Sequence, residues 1–125
     1  MESTILIVDD EAHIRRLLER TLMDLEDEGV EILVADNGED ALAIIQDELP
    51  ALVFLDVMMP KTNGYDVCDT VKHALGLNDV YVAMLTAKGQ EFDRAHGEEV
   101  GADIYLTKPF DPDEVFELAR QVLGL

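Results

Sequence analysis

The sequence of 125 residues predicts an α/β fold, a parallel β-sheet with helices on both faces. Two observations lead there. Short apolar, β-branched runs alternate with stretches of helical periodicity five times along the chain. The third of these runs, Leu52-Val53-Phe54-Leu55-Asp56, is apolar without a break up to its aspartate, as a strand buried on both faces requires.

Taken in order, Thr4-Ile5-Leu6-Ile7-Val8 is the first strand and runs directly into Asp9-Asp10-Glu11. A helix follows. Its apolar stripe is Ile14, Leu17, Leu18, Thr21, Leu22 and Leu25, with Arg15, Arg16, Glu19 and Arg20 largely off it, and Gly29 closes it as a left-handed cap. Val30 to Ala35 is the second strand. Asn37 caps a helix carrying Ala41, Leu42, Ile44 and Ile45, which exits at Pro50. After the third strand, Pro60 forbids further pairing, and Asn63-Gly64 turns the chain into a helix with Val67, Cys68, Val71 and Leu75 inward. Val80 to Leu85 is the fourth strand, ending at Thr86. A polar helix is predicted over 91–100, closed by Gly101. Asp103 to Thr107 is a short fifth strand, followed by Lys108-Pro109-Phe110. Asp111 caps the last helix, with Pro112 at its first position and Glu114 three residues after the cap, and its core face is Val115, Phe116, Leu118, Ala119, Val122 and Leu123. No linker or repeat interrupts residues 1–125, which read as one domain with no output domain in this chain, or else as a piece of a longer protein.

Composition narrows the function. A formal net charge of −19 argues against direct nucleic-acid binding and against docking on anionic membranes, and favours a cation or a partner with a basic patch. No apolar run is long enough to span a membrane, and no basic signal segment opens the chain. The single cysteine, Cys68, forms no internal disulfide and reads as a small core hydrophobe, which suits a cytoplasmic protein. His13, His73 and His96 lack ligand spacing for zinc, Met58 and Met59 read as packing residues, and Glu26-Asp27-Glu28 reads as a solvated helix end.

In a parallel sheet all strand C-termini share one edge. That edge collects Asp9 and Asp10, Asp56, Thr86 and Lys108, where open α/β sheets bind ligands. Alone, Asp56 has a competing reading as a turn or cap residue. Together, crowded carboxylates call for a divalent cation or for protons, and oxygen-only ligands favour a hard ion such as Mg²⁺. A hydroxyl and an ammonium beside them suit a phosphoryl group, so the set supports phosphoryl transfer with an aspartate as nucleophile.

In order and spacing, Val8-Asp9-Asp10-Glu11, Leu55-Asp56-Val57-Met58-Met59-Pro60, Asn63-Gly64, Leu85-Thr86-Ala87, Gly101-Ala102-Asp103 and Lys108-Pro109-Phe110 resemble the receiver domain of bacterial two-component response regulators. The resemblance implies a flavodoxin-like doubly wound sheet of strand order 2-1-3-4-5. It implies Asp56 as phosphoacceptor for a histidine kinase, a phosphotransfer protein or a small phosphodonor. Mg²⁺ (or Mn²⁺) would be held by Asp10, Asp56 and the Met58 backbone carbonyl, with Asp9 acting through water. The phosphoryl group would be bound by Thr86, the Ala87 backbone and Lys108. It further implies a cis Lys108–Pro109 peptide, and a switch in which Thr86 moves toward the phosphoryl group and Tyr105 turns inward. The change would reach a downstream protein or output domain through the helix over 91–100, the fifth strand and the last helix. Met58 and Lys88 occupy positions that tune the lifetime of the phosphorylated state. Ile104 departs from the Asp of many family members that dimerise through that face, so a monomer and a phosphorylation-dependent homodimer both fit.

Three other readings compete. A Mg²⁺-dependent aspartyl phosphatase needs a second Asp where Met58 stands. A flavin carrier needs a phosphate-binding loop where Asp9-Asp10-Glu11 stands. A degenerate receiver acting as a scaffold has no need of the complete set of Asp10, Asp56, Thr86 and Lys108.

Overall fold

The computed structural model describes residues 3–87 and 99–125. Strands β1 (Ser3–Val8), β2 (Val30–Ala35), β3 (Leu52–Asp56), β4 (Tyr81–Ala87) and β5 (Ile104–Lys108) form one parallel sheet in the order β2-β1-β3-β4-β5. Helices α1 (Ala12–Leu22), α2 (Gly38–Glu48), α3 (Gly64–Asp69) and α4 (Pro112–Leu123) connect and flank the strands. Most of the helix predicted over 91–100 lies outside the described residues, as does Lys88.

Alternation along the strands builds two cores. Ile5, Ile7, Phe54, Ala83 and Leu85 pack with Leu18 and Leu22 of α1 and Val115, Leu118 and Ala119 of α4. Leu6, Val8, Val53, Leu55 and Met84 pack on the other face with Ala41 and Ile45 of α2 and Val67 and Cys68 of α3. β3 lies at the centre, and all five of its residues are buried. This flavodoxin-like arrangement is the one the motifs imply.

Local chemistry sets the helix starts. Asn37 Oδ1 accepts from the Asp40 N–H at 2.8 Å to open α2, and Asn63 Oδ1 accepts from the Tyr65 N–H at 2.8 Å to open α3. Asp111 caps α4 through the Asp113 N–H at 2.9 Å, rather than through the residue-114 amide of a capping box. Gly29 has φ +87° and ends the first helical segment in the left-handed region.

The structure corrects the sequence in several places. The first helix does not run regularly to Gly29: Met23–Glu28 tightens into a 3₁₀ helix, which keeps Leu25 buried. Asp24, Glu26, Asp27 and Glu28 all oppose the dipole at that end, and Glu28 pairs with Arg120 of α4 at 3.0 Å, so the acidic run is not wholly solvated. Leu17, predicted inward, is 38% exposed. The helix after Gly64 gives way at Thr70–Ala74 to a π-turn, closed by Leu75 N–H to Thr70 O at 2.8 Å, and Leu75 is left exposed. β4 extends past Leu85 through Thr86 to Ala87, and β5 spans Ile104–Lys108 rather than residues 103–107.

Candidate functional site

The C-terminal edge of the sheet gathers the acidic residues. Asp9 follows β1 and keeps its pairing, its N–H donating to Ala35 O at 3.2 Å. Its carboxylate is 0% exposed. The Glu11 N–H donates to Asp9 Oδ1 at 2.9 Å, and Arg15 Nη1 donates to the Asp9 carbonyl at 2.8 Å, so both side chain and backbone are pinned. Asp56 ends β3 and is 4% exposed, with the Met58 N–H donating to its Oδ1 at 3.3 Å.

Gly64 shapes the loop beneath Asp56. The Asp56 carbonyl and Val57 Cα occupy the space a Cβ on Gly64 would need. Its N–H donates to Val57 O at 2.9 Å, and Met58 and Asn63 form an antiparallel bridge across the same loop. The glycine of Asn63-Gly64 is therefore required by close backbone approach.

Lys108 ends β5, and its peptide to Pro109 is cis. Its Nζ lies 2.9 Å from Asp9 Oδ2, 3.3 Å from Asp56 Oδ1 and 3.5 Å from Glu11 Oε1. Its shortest ion pair is thus with Asp9, whereas the motifs imply Asp56 as its partner. Burial lowers the Lys108 pKa, but the contacts with Asp9 and Asp56 outweigh it and leave the ammonium above its ordinary range. Burial pushes the Asp56 carboxyl up from 3.8 to about 7. The charge of Asp9 adds to this, and Lys108 and the Met58 N–H oppose it.

One carboxylate oxygen each from Asp9, Asp10, Glu11 and Asp56 lie within 4.8 Å of one another. Asp9 Oδ2 is buried and faces Lys108 as an ion pair without an aligned hydrogen bond. A carboxylate oxygen so placed, among three others, fits a hard divalent cation. Glu11 was not among the residues sequence reasoning placed here. The signal was its position in the acidic triplet, where the start of α1 folds it back toward Lys108.

Thr86 is buried on β4, one residue past Leu85, the register partner of Asp56, and opposite Thr107 of β5. Ala87 is exposed at the end of that strand. Tyr105 is half-buried on β5, opposite Met84, against the core that contains Val57. The Met58 side chain is 61% exposed.

Sequence reasoning also missed Lys72. It is buried on the π-turn, and its Nζ pairs with Asp103 Oδ2 at 2.8 Å and donates to Val80 O at 2.6 Å. Cys68 packs nearby in the core, as predicted, its Sγ bonded to Val100 O at 3.6 Å, and burial pushes its thiol up to about 12. His13 and His73 pair with Glu11 and Asp69 at the surface, and neither belongs to the acidic cluster.

A parallel sheet of this order, with carboxylates and a lysine converging on its C-terminal edge, defines the receiver class of signalling domain. Residues 5–120 match the response regulator receiver domain, and the chain belongs to that family, whose members work in two-component systems with histidine kinases. It is 50% identical over 119 residues to the "Probable transcriptional regulator ycf27" of Porphyra purpurea, which covers 95% of this chain and 46% of that protein. It is 45% identical over 120 residues to the phosphate regulon transcriptional regulatory protein PhoB of Pseudomonas aeruginosa, with coverage of 96% and 51%. The structure of the chemotaxis protein CheY4 of Vibrio cholerae superposes with a TM-score of 0.84 at 30% identity, covering 98% of this chain and 99% of that one. The chain spans about half the length of the curated relatives it matches. Among the described residues no helix is long and apolar enough to cross a membrane.

Proposed function

We propose that this chain is a phosphorylation-dependent switch in which Asp56 accepts a phosphoryl group. The observation that carries the reading is the convergence of Asp9, Asp10, Glu11 and Asp56 with Lys108 around one point at the strand ends. An Asp56 oxygen attacks the phosphorus of a phosphohistidine on a histidine kinase or phosphotransfer protein, or of acetyl phosphate. The bond from phosphorus to the donor nitrogen or oxygen breaks, and the leaving group keeps the electron pair. Asp10, Asp56 and the Met58 carbonyl would hold Mg²⁺ (or Mn²⁺), with Asp9 acting through water. When bound, that cation supplies the positive charge that keeps Asp56 ionised beside Asp9 and neutralises phosphoryl oxygens. Lys108 is already in the pocket and shifts from the carboxylates to the phosphoryl group. Thr86 and the Ala87 backbone bind the remaining oxygens, and the buried Thr86 has only a short path to Asp56.

Thr86 and Tyr105 relay the change to the face formed by the helix predicted over 91–100, β5 and α4. There a downstream protein or output domain reads it, as a monomer or as a phosphorylation-dependent homodimer. In this reading residues 1–125 act as the receiver in the cytoplasm, and the charge of −19 keeps them off nucleic acid and membranes. The chain turns over no external metabolite, and water ends the signal by hydrolysing the aspartyl phosphate. Met58, which is exposed, and Lys88 tune that step. The scaffold and phosphatase readings have no observation in their favour: Asp9, Asp10, Glu11 and Asp56 converge with Lys108, and Met58 stands where a phosphatase needs an acid.

The test is intact mass after incubation with Mg²⁺ and acetyl phosphate, for the chain and for Asp56→Ala. One phosphoryl group on the first and none on the second supports the reading. No adduct on either, or an adduct on both, overturns it.

A further inference from the structure

We infer that Lys72 and Asp103 form a register lock for β5, and through it a positioning device for Lys108. β5 is the last strand of the sheet and pairs with β4 alone. Of its residues only Leu106 is fully buried, with Ile104 and Tyr105 half-buried against the two cores, so burial distinguishes the observed register less firmly than it does in the fully buried β3. Register nonetheless decides the chemistry. A slip of one residue moves Lys108 by about 3.3 Å and turns its side chain to the other face of the sheet. Lys108 Nζ lies 2.9 Å from Asp9 and 3.3 Å from Asp56, so that slip removes both contacts.

The opposite end of the strand carries the tie. Asp103 stands immediately before β5. Its Oδ2 accepts from the Val82 N–H at 2.8 Å, and its own N–H donates to Val82 O at 2.9 Å. Lys72 Nζ pairs with the same Oδ2 at 2.8 Å and donates to Val80 O at 2.6 Å. One ammonium thus joins the residue that leads into β4 to the residue that leads into β5.

The surrounding backbone is shaped to admit it. Lys72 lies within the π-turn of Thr70–Ala74, an uncommon winding that is frequent at functional sites. Gly101, at φ +91°, passes so near that a Cβ there would stand 3.2 Å from Lys72 Cβ and Cγ. One turn before Lys72, Cys68 holds Val100 O. Lys72 is 7% exposed and the Asp103 side chain 32%, so the pair is buried on the lysine side; such pairs add little net stability over apolar ones, and buried polar groups fix register in some systems. Here its bonds go to a strand carbonyl and to the carboxylate that grips the neighbouring strand, which is the arrangement a register device requires.

The double variant Lys72→Met/Asp103→Asn leaves no buried charge and keeps an acceptor for the Val82 N–H. Its urea midpoint is expected to stay close to that of the parent. Amide exchange at residues 106–108 is expected to quicken by roughly tenfold or more, with residues 5–7 of β1 unchanged as the internal control. Phosphorylation by acetyl phosphate with Mg²⁺ is expected to slow by about tenfold or more. Only this last readout rests on the phosphoacceptor reading. If the parent takes no phosphoryl group, that reading fails and the exchange experiment still decides the lock. Parent-like exchange at 106–108 in the folded double variant overturns the lock. Faster exchange with parent-like phosphorylation overturns its link to Lys108. If the double variant does not fold, Asp103→Asn alone is measured in the same way, and parent-like values there overturn the proposal.

Discussion

Replacing Asp56 by Asn is expected to stabilise the metal-free protein at neutral pH, by an amount that depends on pH in a defined direction. Burial and the charge of Asp9 raise the Asp56 carboxyl from 3.8 to about 7. Between those values the folded protein holds a proton that the unfolded chain has released. Stability therefore falls as pH rises through this window and levels off above it. The interval corresponds to about 4 kcal/mol, at about 1.4 kcal/mol per pKa unit. The Asn variant never acquires the charge and is spared that loss. The value of about 7 is already net of the opposing pull of Lys108 and the Met58 N–H, so loss of that ion pair is contained in the same figure. The net expectation is a gain of about 4 kcal/mol at pH 8 and essentially none at pH 4. Urea denaturation of both proteins in EDTA, in steps from pH 4 to 8, measures the difference directly. The background of −19 is nearly common to both and cancels. Saturating Mg²⁺ stabilises the parent by mass action and narrows the gap, by about 2.7 kcal/mol at a hundredfold excess over Kd. A difference that stays constant from pH 4 to 8 would refute the electrostatic account, as would a parent more stable than the variant at pH 8 in EDTA.

Gly64→Ala forces a Cβ onto the Asp56 carbonyl and Val57 Cα, so it should cost about 1 to 3 kcal/mol and slow phosphorylation of Asp56. Urea denaturation and the acetyl phosphate assay read both effects. Asn37→Ala removes the α2 cap at 2.8 Å and no member of the acidic cluster, and should cost about 1 kcal/mol in the same denaturation assay with no change in phosphorylation. Met58→Asn places a polar side chain at an exposed position two residues after Asp56, the proposed phosphoacceptor, and should speed loss of the phosphoryl group, followed by mass after removal of the donor. Cys68, buried with its thiol raised to about 12, should resist a thiol reagent at pH 8 in the folded protein and react once urea unfolds it.

Asp9, Asp10, Asp56, Thr86 and Lys108 were legible as a group because each stands at or just after a run of apolar, β-branched residues. Once the strands are parallel, topology alone brings those ends together. The bounds of β2 and β3 came through for the same reason, while β1, β4 and β5 are shifted or lengthened by one or two residues. Helix interiors were less legible, because periodicity assumes a constant winding of 3.6 residues per turn. A 3₁₀ stretch at Met23–Glu28 and a π-turn at Thr70–Ala74 each break that phase.

Lys72 shows where the limit lies. It stands four residues after the buried Cys68 and one after the buried Val71, so the stripe itself pointed inward at a lysine. What the local pattern could not supply was a reason for an ammonium to be there, since a buried lysine without partners is costly. Those partners, Val80 O and Asp103, lie eight and 31 residues along the chain and meet Lys72 only after β4 and β5 have docked. Had Lys72 been read as inward from its spacing, the acid of Gly101-Ala102-Asp103 was the natural counter-charge to seek, because it stands at the start of the next strand in the sheet. A cation on an apolar stripe is therefore a usable signal in this fold: it says that a carboxylate from a distant strand end has to arrive beside it.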